Sequence, residues 1–215
     1  WRNGKDRTDI DLSGAFFDEA FNYVDVISYY NLRNSMGHHS GDIVDAPKGA
    51  AEFFDLDLDA ARKKGVRYVV MSVNSFTAQP YCDLPECFAG WMGRAKPDSG
   101  EIFEARTVLN KVDLTANTRT CLPAIFDIEA RQVIWADVAL AGSPYWNNVA
   151  NNLSGVALML RALLSLEKPT LEMLFRLHVR ARGIPVASRE EAKVVFSPDA
   201  GVTPFDIPMI LAEYL

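Results

Sequence analysis

Two acidic, glycine-bearing segments hold the side chains best suited to chemistry. Asp9 and Asp11 stand in DIDLSG, and Asp42, Asp45 and Glu52 stand in HHSGDIVDAPKGAAE. A hard divalent cation such as calcium or magnesium takes its ligands from carboxylate, carbonyl and water oxygens. A loop holding Asp42 and Asp45, closed by Glu52 and facing Asp9 and Asp11, would supply several of them. Gly41 and Gly49 let the backbone bend so that carbonyls also turn inward. No single loop has the EF-hand pattern. The acids therefore act together only if folding gathers them, and otherwise they are solvated charges of loops and strand edges.

A rival chemistry uses His38 and His39 with Asp9, Asp11 and Asp42 as a metal-assisted hydrolase, in which a bound ion activates water. It requires both rings to converge with the acids on one cleft. Ser40 beside the two histidines could suggest a serine nucleophile, but such sites are defined by three-dimensional geometry, and no GxSxG elbow is present. Ser40 and Asp42 read as turn residues bonding to local backbone. His178 reads as a packing or surface residue of an amphipathic helix. Cys82 and Cys87 form a Cys-x4-Cys pair without a second pair at suitable spacing, which argues against structural zinc. Cys121 reads as a small buried apolar residue. Phe76, Tyr81, Phe88 and Trp91 cluster in sequence and read as packing residues. Neither GxxxxGK[ST] nor GxGxxG occurs, so nucleotide chemistry is disfavoured.

These residues need a scaffold, and most of it reads as β. Thr8–Phe17, Tyr23–Leu32, Glu52–Leu58, Val66–Phe76, Cys87–Gly93, Glu101–Leu109, Arg119–Asp127 and Gln132–Leu140 are apolar or alternating runs separated by turn signals. Within EFFDLDL, Phe54, Leu56 and Leu58 would face the core and Asp55 and Asp57 the solvent. Arg33–Gly49 reads as one long loop, and Asp59–Lys64 as a helical turn closed by Gly65. The pattern changes after Ala141–Pro144. Asn147–Leu166 and the stretch from Pro169 to Gly183 carry apolar residues at helical spacing, and Ser188–Lys193 and Pro204–Leu215 read as shorter helices. The expected architecture is mainly β: an antiparallel β-sandwich over residues 1–142 with a helical C-terminal extension over 143–215.

The chain has 215 residues and a net charge of −6, which disfavours binding to nucleic acid through phosphate neutralisation. Three cysteines in a chain of this length are no disulfide framework, so a reducing, cytoplasmic setting is expected. No run reaches the roughly 18 apolar residues of a membrane span. The start at Trp1 suggests a piece of a longer protein, with a protein partner or neighbouring domains.

The motifs also occur in a suggestive order. Asp9-Ile10-Asp11-Leu12-Ser13, Tyr30-Asn31-Leu32, His39-Ser40-Gly41-Asp42 and Gly49-Ala50-Ala51-Glu52, followed by the strand Val66–Phe76 and the segment Gly100–Leu140 with Trp135, resemble the TerD (tellurium-resistance) family. The resemblance runs from about Thr8 to Leu140. HSGDIVDAPKGAAEFFDLDLDA with SFTAQPYCDLPECFAGWM is similar to a divergent branch at the C-terminus of longer bacterial proteins, some with a RING-like segment. It implies two packed sheets, calcium in acidic loops, a role in bacterial chemical-stress response and no established enzymatic activity. The implied ligands are Asp9, Asp11, Asp42 and Glu52, with Asp45 a looser candidate. The chain departs from the family where Pro47–Glu52 replaces a highly acidic stretch and Ile43 replaces an asparagine. Fewer carboxylates imply a weaker or single calcium site, or an interaction domain whose metal sites have decayed.

Overall fold

The structure is a computed structural model that describes residues 1–94, 108–141, 149–166, 170–184, 186–197, 200–203 and 205–214. It is mainly β with antiparallel pairing, and it divides into two compact units, Trp1–Ser165 and Leu166–Leu215. None of the described helices is long and apolar enough to cross a membrane.

The first unit contains β1 (Ile10–Phe17), β2 (Tyr23–Ile27), β3 (Arg33–Asn34), β4 (Gly37–His39), β5 (Phe54–Leu56), α1 (Leu58–Lys63), β6 (Tyr68–Ser75), β7 (Phe88–Met92), β8 (Val108–Asp113), β9 (Thr120–Asp127), β10 (Gln132–Ala139) and α2 (Leu153–Ser165). A five-stranded sheet runs in the order β10-β9-β6-β1-β2, with β3-β4-β5 and β7-β8 forming two smaller sheets. Alternation along β1 sends successive side chains to opposite faces. On one face Ile10 and Leu12 pack with Cys87, Ala89, Trp91 and Val112 from and beside β7 and β8. Farther along, Phe16 packs with Val69, Met36, Phe54 and Leu56. On the other face Ala15, Phe17, Val70 and Ile125 meet Val156 and Leu160 of α2. The central strand β6 is buried along its whole length, in keeping with its high apolar density.

The stretch Arg33–Gly49, expected as one loop, contains β3 and β4. Its strands carry Gly and His rather than an apolar alternation, so the pattern hid them. Gly37 is needed there, because a Cβ at that position would lie 2.0 Å from the Asp55 carbonyl oxygen. Leu58, expected in the core, is exposed and begins α1. The reason is Asp57, whose Oδ1 accepts the backbone N–H groups of Asp59 and Ala60 at 3.1 and 2.9 Å and starts a helix one residue before the apolar pattern would end. Replacing this cap, Asp57→Ala, should lower stability by about 1 kcal/mol in urea unfolding. The expected strand Glu101–Leu109 lies largely outside the described residues. The next described strand starts at Val108.

Because α2 covers the sheet, contacts divide the chain after Ser165. The second unit holds α3 (Leu171–Arg182), begun by Thr170, whose hydroxyl accepts the Met173 N–H at 3.1 Å. Phe175 stacks on Phe196 at 3.9 Å, and Phe196 meets Tyr214 edge-on at 4.9 Å. The expected helix Ser188–Lys193 is only the 3-10 turn Arg189–Glu191.

Candidate metal centre

The site begins where β1 runs out of a partner strand. Pairing with β2 covers Gly14 to Phe17, while β6 pairs with β1 from Ile10 to Phe17. Before Gly14, side chains take the place of a neighbouring strand. Glu52 Oε2 accepts the Leu12 N–H at 2.9 Å, and His39 Nε2 lies 3.0 Å from the Leu12 carbonyl oxygen. The other His39 nitrogen, Nδ1, accepts the Gly41 N–H at 3.1 Å, so Nε2 carries the hydrogen and donates to Leu12. His39 is therefore the neutral tautomer, and burial holds its pKa below the usual imidazole value.

Glu52 also reaches the loop after β4, its Oε1 accepting the Ile43 N–H at 2.9 Å. One carboxylate thus fastens the Gly41–Asp45 loop to β1. Its side chain is only 1% exposed. Burial pushes its pKa up to about 7, the charges of Asp11 and Asp42 add to that, and the two backbone hydrogen bonds oppose it.

This fastening brings Asp42 to Asp9 and Asp11, and one carboxylate oxygen from each lies within 4.8 Å of the others. Asp9 and Asp11 are buried at 3% and 4% exposure, while Asp42 is exposed at the mouth. Asp9 Oδ1 is fully buried and accepts no hydrogen bond. Burial raises the Asp9 pKa, Asp42 raises it further, and Arg7, with Nη1 3.9 Å from Asp9 Oδ2, opposes both. An orphaned carboxylate oxygen inside a group of like charges is costly unless a cation meets it. All the donors are hard oxygens, which suits calcium or magnesium.

Of the five sequence candidates, folding joins Asp9, Asp11 and Asp42. Glu52 is not in that group, and each of its oxygens accepts a backbone N–H. Asp45 lies outside the group, its Oδ1 accepting the Asn3 side-chain amide at 2.7 Å. No other group of this kind occurs among the described residues.

The two histidines do not converge. Adjacent residues of β4 face opposite ways, so while His39 turns to Leu12, His38 Nε2 lies 3.3 Å from Asp55 Oδ2. Asp55 is also held by Arg94, through Nε at 2.9 Å and Nη2 at 3.0 Å. The hydrolase arrangement needed both rings beside the acids, and His38 is turned to Asp55 instead. Ser40, expected to bond to local backbone, instead reaches a residue 13 positions on, its hydroxyl accepting the Phe53 N–H at 3.0 Å. The three cysteines are free, with Cys82 exposed and the others buried. Burial lifts the thiol pKa of Cys87 to about 11 and of Cys121 to about 12, as expected of packing residues.

Sequence reasoning missed Arg7 and the role of His39. Arg7, two residues before Asp9 and hence on its side of an extended chain, was the one available signal. The pairing of His39 with Glu52 around Leu12 had none.

No protein-family profile matches this sequence, and no curated protein does. Among solved structures the chain is similar to one described as "Crystal structure of unknown function protein SAV2460". The identity is 15%, the match covers 71% of this chain and 88% of that chain, and the TM-score is 0.45. That likeness carries no functional argument.

Proposed function

We propose that the chain is a TerD-like, non-catalytic binding module that holds one divalent cation, calcium by preference, at Asp9, Asp11 and Asp42. The observation that carries the reading is the buried, unpartnered Asp9 Oδ1 within a group of three converging carboxylates. Bound there, calcium would supply charge neutralisation. The protein's own residues supply everything else: pairing of β1 with β6 fixes Asp11, the Phe76 N–H bonds to the Asp9 carbonyl oxygen just before β1, and Glu52 and His39 fasten the loop bearing Asp42. A sandwich of TerD type is supported by the apolar clusters shared between one face of the five-stranded sheet and the smaller sheets. The motif order quoted above supports a scaffolding role in bacterial chemical-stress response, of the tellurite type, together with a protein partner. The three free cysteines favour a cytoplasmic setting.

Three carboxylates are a small part of the roughly six to eight oxygens that calcium takes, so affinity is modest. Calorimetric titration of EDTA-treated protein with calcium chloride should give saturable heat with a stoichiometry near one. Asp42→Ala should remove it, because the mouth of the site loses its charge. A flat wild-type titration would reject the cation reading and leave an interaction domain with a decayed site.

A further inference from the structure

The carboxylate group has a positive charge built in beside it. Arg7 Nη1 donates to the Val44 carbonyl oxygen at 3.1 Å and stands 3.9 Å from Asp9 Oδ2. One guanidinium nitrogen therefore spans the two parts of the site, the strand-side acid and the loop that carries Asp42. Its side chain is half exposed, at 51%, whereas that of Asp9 is 5% exposed, so the cation sits at the mouth and the acid on the floor. Asp9 also divides its oxygens between two directions. Oδ2 faces Arg7, and Oδ1 is the buried atom without a partner.

Resting on the cation-site reading above, the geometry points to Arg7 as an intrinsic counter-cation that neutralises the carboxylates while the site holds no ion and sets its affinity for divalent cations low. Three carboxylates whose oxygens lie within 4.8 Å of one another repel, and a nearby guanidinium lowers that cost in the metal-free protein. The same charge repels an entering divalent ion. Its hydrogen bond to Val44 also ties the loop to the strand-side residues without any ion. The site thereby answers only to higher cation concentrations than its carboxylates would otherwise require.

The test compares the wild-type chain with Arg7→Gln and Arg7→Lys, each treated with EDTA and titrated with calcium chloride by calorimetry. Removing one positive charge beside the carboxylates, near a screened surface, should tighten binding about three- to tenfold in Arg7→Gln. Arg7→Lys should stay close to wild type, because the charge remains. In EDTA, Arg7→Gln should melt below wild type, because the acids lose their neutralising partner. Equal or weaker calcium binding by Arg7→Gln would overturn the counter-cation role while leaving the cation site standing. Tightening by Arg7→Lys as large as that by Arg7→Gln would also overturn it, since the effect would then not follow charge. Absence of binding in all three proteins would reject the cation site itself, and the Arg7 role with it.

Discussion

Between pH 4.5 and about 7, the metal-free wild-type protein is expected to lose about 3 kcal/mol of stability relative to Glu52→Gln. The sign follows from proton binding. Unfolded, Glu52 titrates near the ordinary 4.5; folded, burial raises it to about 7. Within that window the folded chain holds a proton that the unfolded chain has released, so raising pH favours unfolding. The stabilisation is fully present below the unfolded value and lost as pH rises through the folded one. The amide that Glu52→Gln introduces does not titrate, and the fixed cost of exchanging one carboxylate oxygen for an amide nitrogen is the same at every pH. His39 has the opposite sign, since its depressed pKa disfavours folding as pH falls below 6.5, and it is present in both proteins. Urea unfolding of both proteins from about pH 4.5 to about pH 8 measures the slope. A difference that stays constant with pH would mean that Glu52 is ionised in the fold throughout. Saturating calcium should flatten the slope, because a bound cation favours the carboxylate form of Glu52.

The second expected result concerns the floor of the site. At calcium concentrations about 100 times the dissociation constant, the wild type should gain about 2.7 kcal/mol, a rise of roughly 5–10 °C in melting temperature for a chain of this size. Chelator should reverse it. In Asp9→Asn the gain should vanish, since an amide replaces the buried carboxylate that the ion would meet. The same variant should nevertheless be more stable than wild type in chelator. Burial and the neighbouring Asp42 both raise the Asp9 pKa, which means that the charged form is disfavoured where it sits. Substitution by a neutral residue of equal shape removes that cost. Opposite signs in the two conditions separate a ligand from a merely structural aspartate. A calcium response that survives in Asp9→Asn would displace Asp9 from the site.

How much of this was legible beforehand differs from one residue to the next. The apolar density of the β6 run VVMSV, broken only by Ser72, announced a buried central strand, because a strand covered on both faces carries apolar residues on both. Apolar spacing gave α2 its apolar stripe, and turn residues gave the breaks between strands. In contrast β4 reads Gly-His-His, and it is a strand because Gly37 permits the close approach of Asp55 and because β5 offers a ladder. Neither cause is local. The terminal segments were less regular than their composition suggested, as the 3-10 turn at Arg189–Glu191 shows.

The candidate site divides along the same line. Sequence supplied the residue types: Asp9 and Asp11 two apart, and therefore on one face of an extended strand, and Asp42 in a glycine-bearing turn. It could not say which distant carboxylates would meet, since the separation of Asp9 from Asp42 in space is set by hydrogen bonds that Glu52 and His39 make to the backbone of Leu12 and of the Gly41–Asp45 loop. Nor could it tell Glu52, whose oxygens accept backbone N–H groups, from the three acids whose carboxylates gather. The period-two geometry of a strand is written in neighbouring residues, whereas burial, the orphaned oxygen of Asp9 and the divergence of His38 from His39 depend on which backbone lies alongside, and only the folded chain decides that.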